Sequence, residues 1–219
     1  MTSQSLFAPP ELAPLLGDPH PLLEQLGSPD DLAAAPLASA GLQLRHFRSL
    51  PAFRSFLQTY QAELLAPVEL PAIQRAYSHA AHHEVRELIA LDLQLAAEPR
   101  LKEFAVASCR VGQRQLSRLR PLRDLRLVQR YLAAIDQGHA RGWHTLVYGV
   151  ALAVFSLPLR QGLLGYANHT MDGFIQSAAQ PLALTTGQCQ ELHTQVCASL
   201  PNVVNELLAP NGKAALRLA

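Results

Sequence analysis

Histidine supplies the densest chemistry in the sequence. His79, His82 and His83 stand beside Glu84 in HAAHHE. On one helix the i, i+3, i+4 spacing brings three imidazoles onto a common face, which is workable geometry for a transition metal. Three ligands from a single helix rarely close a coordination sphere, so a solvated helix end explains the same residues. The second cluster is basic. Arg110, Arg114 and Arg118 recur at i, i+4, i+8 and form a stripe, which Arg120, Arg123, Arg126 and Arg130 extend with Asp124 as the one acid among them. Such a stripe suits phosphate or an acidic partner surface, or is simply a solvated face. Catalysis finds no support. His139, His144, His169 and His193 are scattered, and His169 and Asp172 are spaced as a local helix pair. No GxSxG, GxGxxG or GxxxxGK[ST] occurs, so neither a nucleophile elbow nor a phosphate cradle is present. No catalytic or cofactor-binding residue is expected, and the chain reads as a non-enzyme.

The totals narrow the class further. The 219 residues carry a net charge of +1, with 49% hydrophobic and only 16% charged residues. That balance offers no strong field for nucleic acid or an anionic membrane, and it leaves apolar surface to be buried in a core or against a partner. Cys109, Cys189 and Cys197 are an odd number without CxxC spacing, as expected of buried thiols in a reducing compartment. The first residues, MTSQSLFAPPELAP, have neither a basic start nor an apolar run, so a cytoplasmic protein is expected.

The elements that must position these residues are helical. Residues 1–40 are rich in Pro and Ala and read as an arm, residues 41–208 as one all-α domain, and residues 209–219 as a polar tail. Ser49 is placed to cap a helix carrying Phe53, Phe56, Leu57, Tyr60 and Leu64, which Pro67 is expected to stop. The next helices align Leu70, Ile73 and Tyr77, then Val85, Leu88, Ile89, Asp92 and Leu95, then Leu101, Phe104, Ser108, Gly112, Leu116 and Leu119. Gly138 closes a further helix, and Thr185 or Thr186 caps a late one. At the centre, Trp143 to Gln188 contains only Arg160 and Asp172 as charged residues and reads as two apolar helices broken at Ser156-Leu157-Pro158. There Ser156 is expected to cap the second helix, with Pro158 in its first turn. Glycines at 149, 162, 165 and 173 imply close backbone approach. Gly142 to Leu159 is uncharged, but His144, Thr145 and Ser156 within it and the absence of flanking basic clusters favour a buried core helix over a membrane span.

In order and spacing these segments resemble the urease accessory protein F (UreF) family. The residues that carry the likeness are HTLVYG, LPLRQGLLGYANHTMDGFIQSAAQ and the closing GQ, which place His144, Val147, Gly149, Leu163, Tyr166, Ser177, Ala178, Ala179, Gly187 and Gln188 on family positions. SLPAFRSFLQTY, LPAIQRAY and the Ser108-x-x-x-Gly112-x-x-x-Leu116 spacing add to it upstream. The family's N-terminal LPxGGFxxSxGLE is reduced here to AAPLASAGLQ, in which Ser39, Gly41 and Leu42 match and Gln43 replaces the acid. Its charged C-terminal stretch has no counterpart in APNGKAALRLA. The resemblance implies an all-α single-domain bundle of about 8–10 helices that is a homodimer and a non-catalytic chaperone. Such a protein joins UreD (also called UreH) and the GTPase UreG to promote nickel insertion into urease apoprotein. No nickel or other cofactor need be bound by the chain itself. Under this reading the partner-binding candidates are Ser39, Gly41, Leu42, Gln43, Arg110, Arg114, Arg118, His144, Gly149, Tyr166, Ser177 and Gln188. Two other readings fit the residues: a family-fold paralogue outside the urease pathway, and a helical protein that binds a small molecule or metal in its core through Trp143, His144, Tyr148, Tyr166 and His169.

Overall fold

Phe53, Leu57 and Tyr60 recur at helical spacing and are buried on α1 (Leu50–Tyr60), whose N-terminus is capped as expected by Ser49 accepting from the Ala52 amide at 3.4 Å. The computed structural model describes residues 47–102 and 104–209. The expectation that Pro67 ends this helix is overturned. The chain continues through a π-helical stretch, Gln61–Glu69, directly into α2 (Leu70–Ala81). Proline has no amide proton to donate, and its ring opposes the carbonyl one α-turn back; the wider i→i+5 turn relieves both problems. The same turn carries Leu64, Leu65, Val68 and the acid Glu69 into the interior.

α3 (Val85–Ala97) buries Leu88, Leu91, Asp92 and Leu95, and a short 3₁₀ turn, Pro99–Leu101, leads to α4 (Ala105–Arg118). α5 (Arg126–Asp136) ends near Gly138, whose φ of +76° takes the left-handed turn that glycine accommodates without strain. α6 (His144–Val154) is the central element, with every residue from His144 to Leu152 buried. It runs between α2 and α4, its most extensive neighbours, while α7 (Leu159–Ala179) packs against α8 (Thr186–Cys197) and α9 (Leu200–Leu208) and also touches α2. An all-round apolar helix is what the middle of a bundle requires. No strand occurs among the described residues, and the fold is the all-α bundle expected.

At the break between α6 and α7 the structure corrects the expected cap. Ser156 has φ +54° and its amide donates to the Ala153 carbonyl, while the Leu157 amide donates to that of Leu152. Those bonds close the end of α6, so Ser156 takes the left-handed role usually given to glycine. Pro158, not Ser156, then stands at the N-cap of α7, with no side-chain cap. Thr185 does cap α8, in a reciprocal box with Gln188.

Candidate functional site: a buried polar centre under an arginine face

α4 joins the two parts of the site. Its inner face presents Ser108, Gly112, Gln115 and Leu116, all buried. Gly112 meets the chain at the start of α6 so closely that a Cβ there would stand 2.2 Å from the Gly142 carbonyl oxygen and 2.7 Å from the His144 nitrogen. The Ser108 hydroxyl accepts from the same His144 amide at 3.2 Å. Asp92 fixes that entrance from α3. Its fully buried carboxylate accepts from the Tyr131 hydroxyl at 2.6 Å and from the Arg141 and Gly142 amides at 2.6 and 2.8 Å. Three donors on one carboxylate offset its desolvation and hold the 139–143 connection against α3 and α5. On the far side of α6, Gly149 lies against α2, where a Cβ would come 2.5 Å from the Ile73 carbonyl oxygen.

Beneath this entrance lies a buried polar centre. Glu69 is buried and accepts from the Tyr60 hydroxyl at 2.8 Å. The Tyr166 hydroxyl faces the same carboxyl without closing a hydrogen bond to it. Burial dominates, raising the carboxyl from its ordinary 4.5 to about 7, with the Tyr60 hydrogen bond partly offsetting that rise. His144 has no exposed surface and packs on Tyr166 with ring centroids 5.6 Å apart; burial alone lowers it to about 3, so the ring is neutral. Neither of its nitrogens has a protein partner. Leu101, Phe104, Ser108, Trp143 and Thr145 complete the walls of a cavity of about 10 Å³. That space is far below the roughly 300 Å³ of a small-molecule pocket, so Trp143, His144, Tyr148 and Tyr166 form a packed core rather than a ligand chamber.

Above it, the outer face of α4 carries Arg110, Arg114 and Arg118, all exposed, and Val106 at its N-terminal end is 82% exposed. Successive guanidinium groups rise about 6 Å along the helix, which suits a row of carboxylates or phosphates. Of the other arginines, Arg120 pairs with Asp136 at 3.1 Å. Arg126 and Arg130 flank an open groove of about 540 Å³ between the α2–α3 connection, the start of α5 and the end of α6.

The other candidates divide by burial. His144, Gly149 and Tyr166 face inward, so as partner-binding residues they can only support a surface, not touch one. Ser177 is half-buried and Gln188 is exposed at the α8 cap. Ser39, Gly41, Leu42 and Gln43 lie outside the described residues. The three histidines share no helical face, and the segment is the solvated helix end that their spacing also allows. α2 ends at Ala81, and His83 has φ +58°. His79 instead pairs with Glu84 at 2.8 Å, and the His82 ring bonds the Ser78 carbonyl. No group of three or more His, Cys, Asp or Glu side chains placed to hold a metal occurs among the described residues. No helix among the described residues is long and apolar enough to cross a membrane. Glu69 was missed altogether, because a lone acid just after Pro67 looks like a surface residue, whereas Asp92 was signalled by its place on the apolar face of α3.

Comparison with protein families matches residues 48–197, more than half of the chain, to UreF. Comparison with curated proteins finds no match.

Proposed function

The chain belongs to the UreF family of non-catalytic urease accessory proteins, and on that premise we propose that it is a scaffold for urease maturation. It joins UreD/UreH and the GTPase UreG in the cytoplasm as a homodimer and promotes nickel delivery to urease apoprotein, while binding no nickel of its own. The observation that carries this reading is the family match, which spans the helices from α1 to α8. The division of α4 supports it, since the inner face is committed to packing and Arg110, Arg114 and Arg118 are exposed on the outer one. Rigid elements of this kind hold an interface in register at little ordering cost. Arg110, Arg114 and Arg118 meet acidic groups of a partner, and Gln188 and Ser177 border contacts near the α7–α8 connection.

The test is nickel content. Urease is expressed with the other accessory proteins, with and without this chain, and nickel per urease active site is measured after purification. The proposal expects a several-fold loss of nickel and of activity in its absence. Equal nickel in both preparations would overturn it and favour a paralogue outside the pathway.

A further inference from the structure

The cavity at the polar centre has a volume of about 10 Å³, close to that of one water-sized probe, and its walls come from the π-helical turn, α4, α6, α7 and the segments beside them. Three buried polar atoms on its lining residues have no protein partner. They are the indole Nε1 of Trp143, the Oγ1 of Thr145 and the hydroxyl of Tyr166, on residues that are 2%, 3% and 1% exposed. A buried polar group left unpaired costs more than an ordinary hydrogen bond contributes, so three around one small space define what it takes. We infer that this cavity is a binding site for a single structural water that joins Trp143, Thr145 and Tyr166 to the Glu69 carboxyl.

The chemistry balances. A water has two protons to donate and two lone pairs to accept with. It accepts from the Trp143 indole and from one hydroxyl, and it donates to the Glu69 carboxyl and to the other hydroxyl. The bridge ties the π-helical turn to α6 and α7. It also gives Glu69 a partner in both of its protonation states, which matters for a carboxyl that titrates near 7. The titratable groups around it are Tyr60 from α1 and Tyr166 from α7, both held neutral by burial, and His144 behind Tyr166, neutral as well. Ser108, Trp143 and Thr145 add no charge. Loss of the Glu69 proton is therefore met by reorientation of the water and of the hydroxyl groups, with no second ionisation.

Trp143 is the single tryptophan of the chain, so its indole N–H gives one resonance in a nitrogen-15 spectrum of the full protein. The experiment measures cross-relaxation from that proton to water. A cross-peak with the sign of a water resident for longer than about a nanosecond is expected in the wild type. It is expected to vanish in Thr145→Val, with the circular dichroism unchanged. The proposal is overturned if the wild type shows no such cross-peak, or if Thr145→Val keeps it at full strength. Should Thr145→Val fail to fold, the wild-type spectrum decides alone.

Discussion

The two faces of α4 were equally legible as a pattern, yet the structure treats them oppositely. On the inner face, Gly112 presses against the Gly142 carbonyl and Ser108 bonds the first amide of α6, so that side has no freedom left. On the outer face, Arg110, Arg114 and Arg118 are exposed, as is Val106. The comparison teaches that residue patterns assign a side chain to the inside or the outside, but only packing says which assignments tolerate change. Substitutions inside should cost stability with no specific effect on partners; substitutions outside should do the reverse.

The largest expected effect is at the entrance to α6. Asp92→Ala strands the Tyr131 hydroxyl and two amides at once and should cost about 4 kcal/mol, read as a shift in the urea midpoint. Asp92→Asn keeps one acceptor oxygen but sets an amide NH2 against a donor on the other side, so it should recover only part of the loss; a nearly neutral Asp92→Ala would mean the carboxylate is not holding the 139–143 connection. Gly112→Ala follows, at about 3 kcal/mol, because the methyl group meets backbone that cannot yield as a side chain would. A neutral result there would break the distinction between the two faces.

Next comes a pH effect from the buried centre. The folded Glu69 keeps its proton up to about 7, while the unfolded chain releases it near 4.5. In that window the native state binds more protons, so stability is fully present below 4.5 and is lost as pH rises through 7. His144 works in the other direction. Its folded value of about 3 lies below the ordinary 6.5, so its contribution is present above 6.5 and is lost as pH falls towards 3. Between 4.5 and 6.5 the two slopes oppose each other, each limited to about 1.4 kcal/mol per pH unit. Glu69→Gln should remove one of them and expose a steady loss of stability from pH 6.5 downwards, seen in urea titrations at several pH values. A pH profile unchanged by the substitution would contradict the assignment. The smallest structural effect is expected at Thr185→Ala, about 1 kcal/mol for loss of the α8 capping box.

Much of the bundle could be read from the sequence because it rests on local rules. Ser49 and Thr185 sit before apolar periodicity and cap as expected, and Asp92 falls on the buried face of α3. Two expectations failed where a local rule met a longer-range demand. Pro67 is accommodated by a π-helical turn, a choice visible only when that turn is packed against the rest of the core. Ser156 is consumed in closing α6 before it can cap α7. HAAHHE straddles the end of α2, so of its two readings the solvated helix end holds and the shared face does not. The buried centre was legible as residue types but not as a site. Glu69 finds Tyr60 within the same continuous helix, but Trp143, Thr145 and Tyr166 come from far along the chain, and no spacing rule joins them.

The measurement closest to the central claim is complex formation with UreD/UreH and UreG, followed by size exclusion with light scattering. Wild type is compared with the combined Arg110→Glu, Arg114→Glu, Arg118→Glu variant. The account predicts a stable complex with the wild type and its loss in the variant, while the melting temperature of the variant stays within a few degrees of the wild type. A variant that binds as tightly as the wild type, or a folded wild-type chain that joins neither partner, would contradict it.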